Sequence, residues 1–205
     1  MAADQGTLYG SLTSPYVRFC RIVRRRAAVD GVFRFEVVGP FDDGIRKLNP
    51  LGKVPALIMD DGTALLETTL IVRTLNAYGP KDLFPADPRA CLAVEADIAL
   101  AMGVLDLGVA YFLESRRSDG EVSAHWQERR SVGLSAALPA LNTAAERALK
   151  APESLSAVAL AVTADWLGFR LSDVIDWRGK ASALFKLADA LLEEDDIAAT
   201  DPRLA

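Results

Sequence analysis

Between Gly79 and Pro88 the chain reads GPKDLFPADP, with Pro80, Pro85 and Pro88 and a glycine in ten residues, a stretch in which neither helix nor strand propagates. Before it, residues 7–78 alternate short strand-like and helix-like segments, the pattern of an α/β unit. Beyond it run long helical patterns and no convincing strand. The chain therefore reads as two units, with 1–79 forming an α/β unit, 80–88 a linker and 89–205 an all-helical unit. Its 205 residues exceed one ordinary domain, and 51% apolar residues supply enough surface to bury two cores.

The first unit resolves into ordered segments. Residues 7–10 suit a strand. A helix is expected from 15 to about 29, with apolar Val17, Cys20, Ile22, Val23 and Ala27 between arginines, Ser14 as N-cap and Pro15 in the first turn. A second strand is expected over 32–38 and a short helix or turn over 42–48. Residues 55–59 and 64–66 flank the turn Asp60-Asp61-Gly62-Thr63 as a hairpin, and a helix from 67 to about 77 closes the unit. In the second unit, helical patterns cover about 88–117, 121–149, 154–171 and 179–194. Leu134, Leu138, Leu141, Ala145 and Leu149 mark one buried stripe.

Composition narrows the function. Lys and Arg total 23 against 28 for Asp and Glu, a formal charge of -5, which gives no overall basic field for nucleic acid. The local run Arg21, Arg24, Arg25, Arg26 reads as a solvated helix face. The start Met1-Ala2-Ala3-Asp4-Gln5-Gly6 lacks the charged head and apolar stretch of a secretory signal, and no run is expected to reach the ~20 apolar residues that cross a bilayer. The expected place is the cytosol, with no membrane association. Cys20, Cys91 and the single His125 lack metal-ligand spacing, so neither a metal nor a disulfide is expected.

Three stretches carry the chemistry: Thr13-Ser14-Pro15-Tyr16-Val17-Arg18, then Asn49-Pro50-Leu51-Gly52-Lys53-Val54-Pro55-Ala56-Leu57, then Glu67-Thr68 opening a helix. In their order and spacing they resemble the glutathione half-site of the cytosolic glutathione S-transferase superfamily, in its bacterial, serine-type form. Residues 165–170 with 176–178 resemble the end of that family's helical domain. The resemblance spans essentially the whole chain and implies a thioredoxin-like N-terminal domain followed by a C-terminal helical bundle.

A free thiol, with a pKa of roughly 8.5, is only a few per cent thiolate at neutral pH, so a glutathione-using enzyme must stabilise the anion. The resemblance gives Ser14 that catalytic task, through its hydroxyl and the helix start beside it. On spacing alone Ser14 is as readily a simple cap, and Thr13 is the competing hydroxyl. The resemblance further implies a cis bond before Pro55, with Val54 offering backbone groups to the cysteinyl part of glutathione. Lys53 is placed near the glycine carboxylate of the peptide, and Glu67 and Thr68 near its γ-glutamyl end, where a helix start favours an anion. Tyr111 and Phe112 are expected to line an apolar substrate pocket or simply to pack. Cys20, about 600° of helix rotation beyond Ser14, reads as core.

Relatives carry a Ser/Thr-x-x-Asp capping box opening the helix near 154. Here Ala157 stands at the acidic position of Ser154-Leu155-Ser156-Ala157. The leading expectation is a glutathione transferase in which glutathione, a co-substrate and not a bound cofactor, attacks a small electrophile; glutathione-dependent isomerisation is a variant. The alternative is a non-catalytic scaffold using the same fold. A homodimer is implied by the resemblance alone.

Overall fold

A computed structural model describes residues 4–39, 42–118 and 120–204; Met1–Ala3 of the stretch read for targeting lie outside the described residues. Four strands, β1 (Gly6–Gly10), β2 (Phe33–Val37), β3 (Ala56–Met59) and β4 (Ala64–Leu65), form one sheet in the order β2-β1-β3-β4. β1 pairs parallel with β2 and antiparallel with β3, and β3 pairs antiparallel with β4. With helices α1 (Pro15–Arg26), α2 (Ile45–Leu48) and α3 (Thr68–Ala77), this is the thioredoxin-like arrangement expected.

Helix α1 buries Val17, Phe19, Cys20, Ile22 and Val23. It ends at Arg26, three residues short of the expected limit, because Ala28 adopts φ 54 and turns the chain so that Val29 N–H bonds to the Arg24 carbonyl. Gly10 lets the first turn of α1 settle on the end of β1, since a Cβ there would lie 2.5 Å from both γ-carbons of Val17. That β-branched side chain could not step aside.

The arginine run of α1 is not simply a solvated face. Arg24 donates to the Phe33 carbonyl and pairs with Asp30, and Arg21 lies over the Phe35 ring at 4.9 Å. Arg26 pairs with Glu194 and with Asp196, while Arg25 is exposed. Arg18, also buried, donates from Nε to the Thr200 hydroxyl at 3.2 Å and from Nη2 to the Ile197 carbonyl at 3.5 Å. Residues 194–205 thus group with residues 1–85 as one compact unit, and 86–193 form the other.

The second unit is helical: α4 (Pro88–Glu114), α5 (Ala124–Ala148), α6 (Leu155–Arg170), α7 (Trp177–Lys180) and α8 (Ser182–Leu191). Every residue of α6 from 155 to 167 is buried, which makes it the central helix, with α4 and α8 packed on it. The α5 stripe holds at Leu134, Leu138, Leu141 and Ala145, but Ala148 replaces Leu149, which falls on the C-cap. The pattern expected over 179–194 divides instead into the end of α7 and α8, and the short α9 (Asp195–Ala198) that follows belongs to the first unit. Among the described residues α4 alone is long and apolar enough to cross a membrane, with an 18-residue window of mean hydropathy 1.7. It packs against α5 and α6, and its buried Asp97 bonds Arg147 at 2.5 Å.

The incomplete capping box at α6 is compensated. Ser154 Oγ accepts from Ala157 N–H at 3.2 Å, and the Ser154 N–H that an acidic side chain would have satisfied bonds the Ala151 carbonyl at 3.0 Å. No backbone donor is left orphaned by Ala157 at that cap.

Candidate functional site

Sheet topology brings the three sequence motifs together in the first unit. Ser14 follows the C-terminal end of β1, Val54-Pro55 precedes the N-terminal end of β3, and Glu67 follows the C-terminal end of β4. Because β3 runs antiparallel to both neighbours, these are the same end of three adjacent strands, with Tyr9 opposite Ala56 and Leu57 opposite Leu65. Adjacent strands lie only about 4.8 Å apart.

Ser14 caps α1 from an extended backbone, φ -78 and ψ 126, and its Oγ accepts from Val17 N–H at 3.4 Å. Among the described residues no acceptor takes its hydroxyl hydrogen, so the half-buried side chain can still donate. Thr13, the competing hydroxyl, is exposed and engaged by Ser11, with 3.0 Å between the two oxygens. The open N-terminus of α1 adds positive partial charge at Ser14.

The loop before β3 is organised by Asn49, a residue 0% exposed whose part the motif reading did not assign. Its Nδ2 donates to the Lys53 carbonyl at 2.7 Å, its Oδ1 accepts from Leu51 N–H at 2.9 Å, and its own carbonyl accepts from Gly52 N–H at 2.8 Å. Gly52 takes φ 63 in this turn. The loop delivers a cis Val54–Pro55 peptide, as the motif implies. Among the described residues, neither the N–H nor the carbonyl of Val54 has a hydrogen-bond partner, and Lys53 is exposed.

Glu67 is the N-cap of α3, and its Oε2 accepts from the N–H groups of Thr69 at 2.8 Å and Leu70 at 3.0 Å and from the Thr69 hydroxyl. Partial burial pushes its carboxyl up, but the bonds from Thr69, Leu70 and Thr68 outweigh this and hold it below the usual glutamate value. It is therefore ionised at neutral pH, with Oε1 left for another donor. Thr68 is buried at the first helical position, and its carbonyl lies 4.0 Å from the Cys20 sulfur. Burial, and then the charge of Glu67, push the Cys20 thiol far above the usual range, so it stays a neutral core group. The part of Thr69, which holds the Glu67 carboxylate through both its N–H and its hydroxyl, was not read from the sequence; its signal was a second hydroxyl directly after Thr68.

In the helical unit Tyr111 and Phe112 are half-buried near the end of α4, and Phe112 meets Trp166 of α6 edge to face, centroids 6.1 Å apart. Among the described residues no group of three or more His, Cys, Asp or Glu is placed to hold a metal ion.

A mixed four-stranded sheet with a helix start, an unpaired extended backbone and a second helix start at one end, followed in sequence by a helical unit, is the glutathione transferase-like fold. Residues 8–81 match the glutathione S-transferase N-terminal domain family. Over 198 residues, 95% of this chain and 98% of the relative, the chain is 28% identical to an uncharacterized GST-like protein, YibF, of Escherichia coli strain K12. A glutathione S-transferase from Methylobacillus flagellatus KT, solved with glutathione bound, superposes with a TM-score of 0.87 at 29% identity, covering 96% of this chain and 99% of that one. A glutathione transferase family member from Pseudomonas fluorescens Pf-5 with bound glutathione gives 0.88 at 26% identity, covering 96% and 98%. A second structure of that family member, with bound S-(propanoic acid)-glutathione, gives 0.83 at 25%, covering 96% and 97%. Over nearly its whole length the chain is thus similar to proteins of the glutathione S-transferase superfamily, and its first unit matches that family's N-terminal domain.

Proposed function

We propose that the protein binds reduced glutathione at the β1–β3–β4 end of its first unit and transfers the tripeptide's sulfur to a small electrophile. One observation carries this reading: the Ser14 hydroxyl hydrogen, both backbone groups of Val54 and Glu67 Oε1 are all without partners among the described residues and gather at one sheet end. Each matches a part of glutathione. Val54 pairs with the cysteinyl backbone in the manner of an added strand, Lys53 faces the glycine carboxylate, and the start of α3 receives the γ-glutamyl carboxylate while Glu67 takes its ammonium.

The chemical step is simple. Ser14 donates to the sulfur, and with the α1 start it favours the thiolate over the thiol. The thiolate forms an S–C bond to the electrophile. In a substitution the leaving group departs with the bonding pair; in an addition a proton from solvent completes the product. Holding the two reactants together supplies the rest of the acceleration. Cys20 cannot replace Ser14 as a redox thiol, being buried and neutral. Thr13 is the second choice for the thiol contact, because its hydroxyl already pairs with Ser11. The protein acts in the cytosol as a homodimer on this reading.

Calorimetric titration with reduced glutathione tests it. One site per subunit is expected, lost when Glu67 and Thr68 are both changed to alanine. Absence of binding at millimolar glutathione would overturn the proposal and leave a scaffold using the same fold.

A further inference from the structure

Glu67 is an unusual cap. Among the described residues, the other helices that a side chain caps use serine or aspartate: Ser14, Asp87, Ser123, Ser154 and Asp176. Those short side chains are among the residues favoured at this position. Glutamate carries one more methylene, and so one more torsion to fix. At α3 that added length is held in place. Glu67 Oε2 takes the Thr69 N–H at 2.8 Å and the Leu70 N–H at 3.0 Å, as a capping oxygen does, and it also takes the Thr69 hydroxyl. Thr69 is half-buried, while the Glu67 side chain it grips is exposed.

Capping accounts for the two N–H bonds and not for the third. A helix start needs its free N–H groups satisfied, and Oε2 does this without a hydroxyl. Nor does the hydroxyl complete an ion pair, because hydrogen bonds alone hold the Glu67 carboxyl down, and among the described residues no lysine or arginine pairs with it. The effect of the hydroxyl is geometric. Two donors from the helix backbone and one from the Thr69 side chain converge on a single oxygen, which sets the rotamer of the carboxylate and leaves Oε1 for a ligand. A side chain already held gives up less freedom when it takes a cation than one that is free to swing.

We infer that Thr69 is a positioning residue for recognition of the α-ammonium group of the thiol peptide. It acts through Glu67, and together they make the site selective for γ-glutamyl thiols whose amine is free. This rests on the proposed function, in which Glu67 takes that ammonium, and it adds the residue that sets the selectivity.

The test is calorimetric titration with two peptides, reduced glutathione and glutaryl-cysteinylglycine, which is glutathione with hydrogen in place of its α-amine. The parent protein is expected to prefer glutathione about tenfold, the size of one charge-assisted contact near the surface. Thr69→Val keeps the shape and removes the hydroxyl. It should cut that preference to about threefold while affinity for the glutaryl peptide holds, and Thr69→Ser should restore the parent's preference. A purely structural Thr69 would instead lower both affinities by the same factor, and the ratio of the two preferences isolates the coupling. Both affinities falling in step, a preference unaltered in Thr69→Val, or a serine variant that behaves like the valine one would overturn the inference. Thr69→Ala, with a residue that suits a helix, gives the same reading where valine disturbs the fold. A parent that binds both peptides equally keeps the glutathione reading and sinks this inference alone, and a parent that binds neither sinks both. The expected pattern of affinities with no turnover of any electrophile supports the inference and sinks only the transfer step.

Discussion

Ser14 and Ser154 occupy the same local position and do different work. Each is the N-cap of a helix, and each accepts a hydrogen bond from the N–H three residues on, Val17 at 3.4 Å and Ala157 at 3.2 Å. Around Ser154 the remaining capacity is used: its hydroxyl lies 3.1 Å from that of Ser156, and its N–H donates to the Ala151 carbonyl. Among the described residues nothing accepts the Ser14 hydroxyl hydrogen or pairs with the Val54 backbone, which is one strand away. A serine before an apolar helix announces a cap in both places. What separates a structural cap from a binding site is the hydrogen-bonding capacity that the fold leaves over.

That contrast can be broken by substitution. Replacing Ser14 with alanine should lower turnover with glutathione about a hundredfold, the loss expected for one donor to a developing anion. Thermal unfolding should shift far less than turnover, by the ~1 kcal/mol of a lost cap. A turnover rate within a factor of a few of the parent would remove Ser14 from the mechanism. Asn49→Ala should act on both properties. It leaves the Lys53 carbonyl and Leu51 N–H without their side-chain partner, so stability should fall by roughly 2 kcal/mol, and glutathione affinity about tenfold, because the loop carrying Val54 loses its brace. Denaturant unfolding and calorimetry read the two effects separately.

Ser154→Ala is the mirror of the first change: about 1 kcal/mol of stability lost in denaturant unfolding, with glutathione affinity unaltered. A change in affinity would show that the two caps are less distinct than their surroundings suggest. The smallest effect belongs to Glu67. Its folded-state carboxyl is held below its unfolded value, so its contribution to stability is fully present above the unfolded value and disappears as pH falls through the folded one. Unfolding of Glu67→Gln and the parent should therefore differ by under about 1 kcal/mol at neutral pH and converge in acid. A gap that persists at low pH would assign the effect to packing instead of charge.

Much of this was legible in the sequence because it is written in local signals. The proline-rich break, the alternation before it and the helical periodicity after it gave the elements in their order, and the family resemblance carried by the stretches around Ser14, Pro55 and Glu67 implied one shared site. Two things were not legible. Asn49 reads as one polar residue before a proline; that it is buried and holds the loop from inside is a tertiary fact. Arg26 reads as part of a solvated face and Arg18 only as the end of the first motif, yet they bond Glu194 and Asp196, and Thr200 and Ile197, which lie roughly 170 to 180 residues away in the chain, and nothing in a helix's own periodicity points to such partners.

The docking of residues 194–205 on α1 also sets an order of assembly. Ribosomes deliver about 5–20 residues each second, so the strands and first helix of the leading unit are made on the order of ten seconds before the segment that neutralises their arginines. Until the helical unit has been synthesised, α1 holds Arg18 and Arg26 without Thr200, Glu194 and Asp196. The nascent leading unit is in this sense a fold awaiting a later piece, and the helix that begins after Ser14 gains these contacts only once the helical unit has been translated.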